Sequence, residues 1–450
     1  MKVMALNGIL GYGYPLASLE KGLALKPDVV GTDGGSTDPG PYYLGAGVSF
    51  TSRAGVKRDL ALSMPRVLKQ KIPFIIGTAG GSGGEPHLKW CREIVEEIAR
   101  ENDLHFKMAL IHAEFPKAYV RKKLREGKIR PMGPNLTLTE EDIAETVRFV
   151  GQMGSEPFIK ALNTGSEVIL AGRSSDPAIY AALPLAHGQD AGLVWHASKI
   201  IECGALCAVP GTTGDCIMAH LERDYFLLEP LSPIRRCTPL SVAGHTLYEQ
   251  PNPYHLYEPD GMMDLSQCQY DAYTDSIARV SGSKWVPARQ PTIKIEGSAR
   301  YGYRTISIAG CRDPLMIEAM DEVTDHVRRT TSENYSGIID PKDYTILFRL
   351  YGKNGVEGDW EPQKKTTSQE LGVVIEVVAK TQEIANDICA VARSTMLHYH
   401  YTGRKATAGN LAFPYSPSDI AMGPAYRFSA YHLVELEDAA EPFEIETVMI

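Results

Sequence analysis

Val29-Val30-Gly31-Thr32-Asp33-Gly34-Gly35-Ser36 and, further on, Pro73-Phe74-Ile75-Ile76-Gly77-Thr78-Ala79-Gly80-Gly81-Ser82 are two versions of one phrase. Each is a short apolar run that breaks at a glycine and continues into hydroxyl groups. A buried parallel strand that ends in a ligand-holding loop reads this way, because both of its faces are covered and only its end meets solvent. A third segment repeats the logic in other letters: Glu167-Val168-Ile169-Leu170-Ala171-Gly172-Arg173-Ser174-Ser175-Asp176-Pro177.

Working outward, the first half alternates strand and helix. Val3–Leu6, Asp28–Gly31, Ile72–Gly77, Phe106–His112 and Glu167–Ala171 read as strands. Between them, Leu16–Leu25, Asp59–Gln70 and Pro86–Asn102 read as helices. In the last of these, Leu88, Cys91, Val95 and Ile98 recur at helical spacing opposite charged residues. Thr139, with Asp142 three residues on, is a helix-start signature, and a helix follows Asp176 or Pro177. This alternation predicts a mostly parallel sheet with helices on both faces.

From Tyr225 to Pro291, prolines and tyrosines interrupt every period, which predicts an irregular but ordered connection of the kind that covers a site. Beyond it, Thr292–Glu296 and Thr305–Ala309 read as two strands and Asp313–Thr330 as a helix. Tyr344–Tyr351 and Leu371–Ala379 follow as strands, Gln382–Tyr399 as a helix and Tyr426–Leu436 as a last strand. The division expected is an α/β glycine-loop domain over 1–225, the connection over 226–290, and an α+β domain over 291–450 with a mixed or antiparallel sheet.

The chain has 450 residues and a formal charge of −9. That balance disfavours nucleic acid and anionic membrane surfaces as partners. No stretch reaches the roughly 18 apolar residues of a spanning helix, and the N-terminus does not read as a signal peptide. Eight cysteines set in apolar segments suit reduced thiols. The expectation is a cytoplasmic protein, with a homo-oligomer as the base-rate assembly.

The first loop carries Asp33 and Asp38 around Thr32, Ser36 and Thr37. One carboxylate can act as acid or base while the backbone amides of Gly34 and Gly35 hold an oxyanion. Gly80 and Gly81 lead toward a helix N-terminus, a natural anion site. Gly80-Gly81-Ser82-Gly83-Gly84 also matches the nucleophile-elbow pattern, with Ser82 as nucleophile. In the third loop Arg173 beside Ser174, Ser175 and Asp176 reads either as a bidentate clamp or as a capped helix start.

No Gly-Lys-Ser/Thr follows any of these glycines, so no P-loop is present and no nucleotide cofactor is expected. Mg2+ bridging Asp33 and Asp38 is compatible with the set but not demanded by it. Cys203 and Cys207, His398 and His400, and His112 with Glu114 lack the partners of a metal site. Glu202, at a glycine break, is placed to reach a cleft. The proline-set loop over 409–420 is a further candidate cover.

The strings GTDGGSTDPGPYYLGAG (31–47), GTAGGSG (77–83), Gly172–Ala178 and Ala412–Asp419 resemble the acyclic terpene utilisation AtuA-like family over nearly the whole chain. That family is named for bacterial breakdown of acyclic terpenes through acyl-CoA and branched carboxylate intermediates. The resemblance implies a catabolic enzyme acting on a small or acyl carboxylate, and carries over no residue roles.

Together these readings predict a lyase or hydratase for a small or branched carboxylic acid or its acyl derivative. Asp33 or Asp38 moves the proton, the glycine loops hold the carboxylate or enolate, Arg173 clamps the anion, and Ser36, Thr37 and Ser175 orient the substrate. The alternatives are a serine hydrolase of amides or thioesters using Ser82, and a non-catalytic acyl-binding or assembly subunit.

Overall fold

The computed structural model describes residues 1–133, 137–248, 250–405 and 407–450. The chain clusters into two compact units, Met1–Ala299 with Phe428–Ile450, and Arg300–Arg427.

In the first unit, five strands are parallel neighbours: β1 (Lys2–Ala5), β2 (Val29–Asp33), β3 (Phe74–Gly77), β4 (Lys107–Ile111) and β5 (Val168–Ala171). Their order across the sheet is β1-β2-β3-β5-β4. The registers pair Val3 with Val29, Asp33 with Gly77, Phe74 with Val168 and Ile111 with Ala171. Successive residues point to opposite faces, so Val29 and Val30 enter two different cores.

On one face pack α1 (Leu16–Ala24), α2 (Arg53–Lys69) and α3 (Glu85–Glu101), through residues such as Leu19, Leu60, Met64, Cys91 and Ile98. On the other pack α4 (Ser155–Leu162), α5 (Ala178–Ala186) and α6 (Ala191–Ile201), through Phe158, Ile179, Leu193 and Trp195. Helices thus cover both faces of the parallel strands.

The parallel group is the centre of a larger sheet. Four antiparallel strands extend it beyond β1: Ile217–Leu221, Tyr225–Pro230, Ala278–Ser281 and Gln269–Ala272. Ile445–Met449 extends it antiparallel beyond β4. The sheet is therefore mixed rather than mostly parallel.

The stretch 226–290 clusters with the first unit and holds several short strands. Among them His255–Glu258, Gly261–Asp264 and Lys284–Pro287 form a separate antiparallel sheet. Four-residue strands flanked by prolines leave too short a period to read, and their partners are distant in sequence.

In the second unit Tyr344–Tyr351 and Leu371–Ala379 are strands as expected, and they pair antiparallel; Leu371–Ala379 also pairs with residues 303–311. Val373 and Ile375 lie on one face with Val323, Val327 and Ala392 of the helices Met320–Asn334 and Gln382–His398. Two local readings change. Thr292–Glu296 and Thr305–Ala309 are parts of one strand, Thr292–Cys311, and the helix expected over 313–330 is split at Ala319 into Pro314–Glu318 and Met320–Asn334.

β3 and β5 are neighbours, yet β3 continues into α3 on one face and β5 into α5 on the other. Where adjacent strands send their loops to opposite faces, a crevice opens at the strand ends.

Candidate functional site

A cleft of about 880 Å3 lies at these strand ends, within the first unit. Ser36 and Asp38 line it from the loop after β2, and Arg173, Ser175 and Asp176 from the loop after β5. Lys199 and Glu202 enter from the end of α6, and Glu258 from the strand His255–Glu258. Met132, Met262, Val286 and Leu433 supply apolar wall.

Glu258 reaches the cleft because the hairpin that bears it is tied down twice. Asp260, in the hairpin turn, accepts hydrogen bonds through Oδ2 from Ser155 N (3.0 Å) and Ser155 Oγ (2.5 Å) at the start of α4. Trp285 on the third strand stacks on Trp195 of α6, with centroids 5.1 Å apart. Ser175 Oγ then donates to Glu258 Oε2. Burial pushes the Glu258 carboxyl up to about 7, against the pull of Lys199.

Lys199 Nζ lies 2.5 Å from Glu202 Oε1. Burial works against the lysine charge, but Glu202 and Glu258 outweigh it and keep Lys199 protonated. Burial raises Glu202 well above the ordinary carboxylate range and pushes Asp176 up as well. Burial thus raises three carboxyls of the cleft, Glu258 to about 7, beside a cation.

Beneath this group lies an ionic anchor. Glu296 is inaccessible, and its Oε2 accepts from Arg173 Nε at 2.9 Å. Its Oε1 accepts from Thr37 Oγ1 at 2.8 Å and faces Lys294 Nζ at 2.8 Å. Burial would raise this carboxyl, but Arg173 and Lys294 hold it down at about 2. Arg173 Nη1 also donates to Ser174 O (2.7 Å) and to Asp176 Oδ1 (3.4 Å). Arg173 lines the cleft while its guanidinium pairs with Glu296 and Asp176, and the helix that follows starts after Pro177 without a side-chain cap.

Asp33 and Asp38 separate in role. Asp38 is exposed at the rim and accepts from Ser36 Oγ at 2.7 Å. Asp33 is buried behind the cleft, where burial and then Asp176 raise its carboxyl well above the usual range. Thr37 and Ser174 are also buried: Thr37 serves Glu296, and Ser174 Oγ lies 3.1 Å from Thr78 Oγ1.

The glycine amides are used within the protein. Gly35 N donates to Asp33 Oδ2 (2.7 Å), Gly34 N to Gly77 O (2.9 Å) and Gly81 N to Thr78 O (2.9 Å). The N-terminus of α3 is taken by a side chain, since Glu85 N donates to Glu114 Oε2 at 2.8 Å. Gly80, Gly81 and Ser82 are buried and are not among the residues lining the cleft. His87, the histidine of this turn, points its Nε2 at the carbonyls of Tyr43 and Val48, both at 3.1 Å.

The second glycine loop serves packing. A Cβ on Gly81 would meet Phe50 Cδ1 at 2.2 Å, and one on Gly83 would meet Arg173 N at 2.1 Å. Gly83, at φ +65°, lets the β3 and β5 loops touch through Arg173 N and Gly83 O (3.2 Å). Gly83→Ala is expected to cost at least about 2 kcal/mol by clash and strain together, read as a lower urea midpoint with an unchanged slope.

Lys199, Glu258, Lys294 and Glu296 carry no local motif, and the sequence does not single them out. Lys294 and Glu296 alternate with Ile293 and Ile295 as on any strand with a polar face, so the letters do not mark Glu296 as buried. Among the described residues no group of three or more His, Cys, Asp or Glu could hold a metal ion, so no ligands are assigned to Mg2+. All eight cysteines are free thiols. No helix among the described residues is long and apolar enough to cross a membrane.

A family model described as acyclic terpene utilisation family protein AtuA matches residues 54–215 and 234–417, most of the chain. The matched stretches include Arg173, Asp176, Lys199, Glu202, Glu258 and Glu296, while the first glycine loop precedes them. No curated protein and no solved structure matches the chain.

Proposed function

The chain belongs to the acyclic terpene utilisation family AtuA, whose role is catabolic, and we propose that its cleft is the active site of a lyase or hydratase acting on a small or branched carboxylic acid or its acyl derivative. One observation carries the reading: Asp176, Glu202 and Glu258 share one cleft with the cation Lys199 at the end of a parallel sheet, and burial there raises all three carboxyls, Glu258 to about 7. General acid–base catalysis needs groups whose protonation is balanced near working pH.

Lys199 spends one of its N–H donors on Glu202 and has others for a carboxylate or a developing enolate oxygen. Glu258, near 7, gives and takes the proton beside that oxygen, and Asp176, also raised by burial, is the second carboxyl within the cleft. Ser36 and Ser175 orient the polar end of the substrate, and the apolar wall takes the branched hydrocarbon. Asp33, behind the cleft, acts through Asp176, so the proton-moving role passes to Glu258 and Asp176.

The reading is tested in D2O with a panel of branched carboxylic acids and acyl thioesters. Deuterium entry next to the carbonyl of at least one member, followed by NMR and lost in Glu258→Gln, is the expected result. Hydrolysis without exchange, together with fluorophosphonate labelling of Ser82, would replace it by the serine-hydrolase reading. Tight binding with neither reaction would favour a non-catalytic subunit.

A further inference from the structure

Among the buried oxygens without a hydrogen-bond partner, Asp33 Oδ1, Tyr180 Oη and Glu202 Oε2 lie on one side of the parallel strands. Asp33 is 2 % exposed, Tyr180 0 % and Glu202 5 %, so open solvent does not satisfy them. Buried polar atoms are nearly always paired, and each exception calls for an occupant.

Local geometry gathers the three on one face of the sheet. Gly31 and Asp33, two apart on β2, point to the same side. The Tyr180 ring lies on Gly31, with Cε1 2.6 Å from where a Cβ would stand. Asp33 Oδ1 stands 2.6 Å from the matching position at Gly77, its register partner. Two missing side chains thus let the tyrosine and the aspartate lie flat on the strands. Glu202 follows α6, which packs on that same face, and Asp33 and Glu202 are the carboxyls that act most on the Tyr180 hydroxyl.

We propose that Asp33, Tyr180 and Glu202 enclose one ordered water, and that this water is a co-substrate, added to or removed from the ligand in the cleft. The co-substrate role rests on the acid–base reading above; the water site does not. Water fits such a set because it both gives and accepts: it donates to whichever of Asp33 Oδ1 and Glu202 Oε2 is unprotonated, and accepts from the Tyr180 hydroxyl or from a protonated carboxyl. Glu202 also lines the cleft, so a water held against it would stand next to the ligand space. In the hydration direction the water oxygen bonds to one carbon of a double bond. Its proton travels through the cleft carboxyls to the other carbon, and nothing is oxidised or reduced.

Two measurements test this without a known substrate. A high-resolution crystal structure of the native protein is expected to show one water within hydrogen-bond distance of all three atoms. Tyr180→Phe is expected to lose that water and to lower Tm by about 2–4 °C. A dry recess in the crystal, or an unchanged or raised Tm on losing an unpartnered hydroxyl, would overturn the site. A rubidium anomalous signal in the recess after soaking would assign it to a cation instead. A dry recess in a protein that still exchanges deuterium overturns only this inference. A filled recess with no exchange in any panel member removes the co-substrate role along with the acid–base reading.

Discussion

Glu296→Ala is expected to destabilise the first unit by about 3–5 kcal/mol, the cost of leaving buried charge without its partner. The carboxylate is inaccessible and answers three groups at once: Arg173 Nε, Lys294 Nζ and Thr37 Oγ1. Without it, Arg173 keeps only the longer contact to Asp176 and the Ser174 carbonyl, at 2 % side-chain exposure. Glu296→Gln keeps an acceptor in place and is expected to lose less. Urea unfolding of both variants, compared at equal slope, measures the difference.

The same residue gives the molecule an acid limb. Its carboxyl lies at about 2 in the fold, against 4.5 for an ordinary glutamate. A carboxyl lowered by folding contributes stability in full above the unfolded value, and that contribution drains away as pH falls from about 4.5 toward 2. The unfolding midpoint of the native protein should therefore drop through this window. In Glu296→Gln the drop should be shallower.

The second large effect is on rate. Glu258→Gln keeps the size of the side chain and an acceptor for Ser175 Oγ, but can neither give nor take a proton. Loss of a positioned acid–base group lowers kcat by about 10²- to 10⁴-fold. The native pH–rate profile should carry a limb near 7, the value to which burial brings Glu258, and the variant should lack it. Stability moves in the opposite sense. A carboxyl raised by folding favours the fold most below its unfolded value, and that contribution fades as pH rises from 4.5 through about 7. Glu258→Gln should remove that part of the alkaline decline.

Much of the architecture was legible in the sequence because it is local. Buried parallel strands are continuous apolar runs, and β1, β2, β3, β4 and β5 fall where such runs predict them. Tyr344–Tyr351 and Leu371–Ala379 match their expected bounds, and Thr139 with Asp142 forms the expected capping box. Helix starts were less exact. α2 begins at Arg53, capped by Ser52, rather than at Asp59. Here the polar first turn masks the period.

The antiparallel flanks were not legible. Ile445–Met449 joins β4 from the far end of the chain, and nothing in its five residues names that partner. The site divides in the same way. Ser36, Asp38, Arg173, Ser175 and Asp176 sit directly after strands, where strand-end logic finds them, and they line the cleft. Glu258 and Lys199 come from a hairpin and a helix end brought in by tertiary packing, so no spacing announces them. The glycines misdirect for a physical reason: a loop that needs backbone room for a neighbouring loop looks, in letters, like one that makes room for an anion.

The titration of the Glu258 carboxyl by 13C NMR, assigned through its loss in Glu258→Gln, tests the acid–base cleft most directly. The predicted midpoint is about 7. A midpoint at the ordinary 4.5 would mean that the cleft holds plain carboxylates, and would contradict the account.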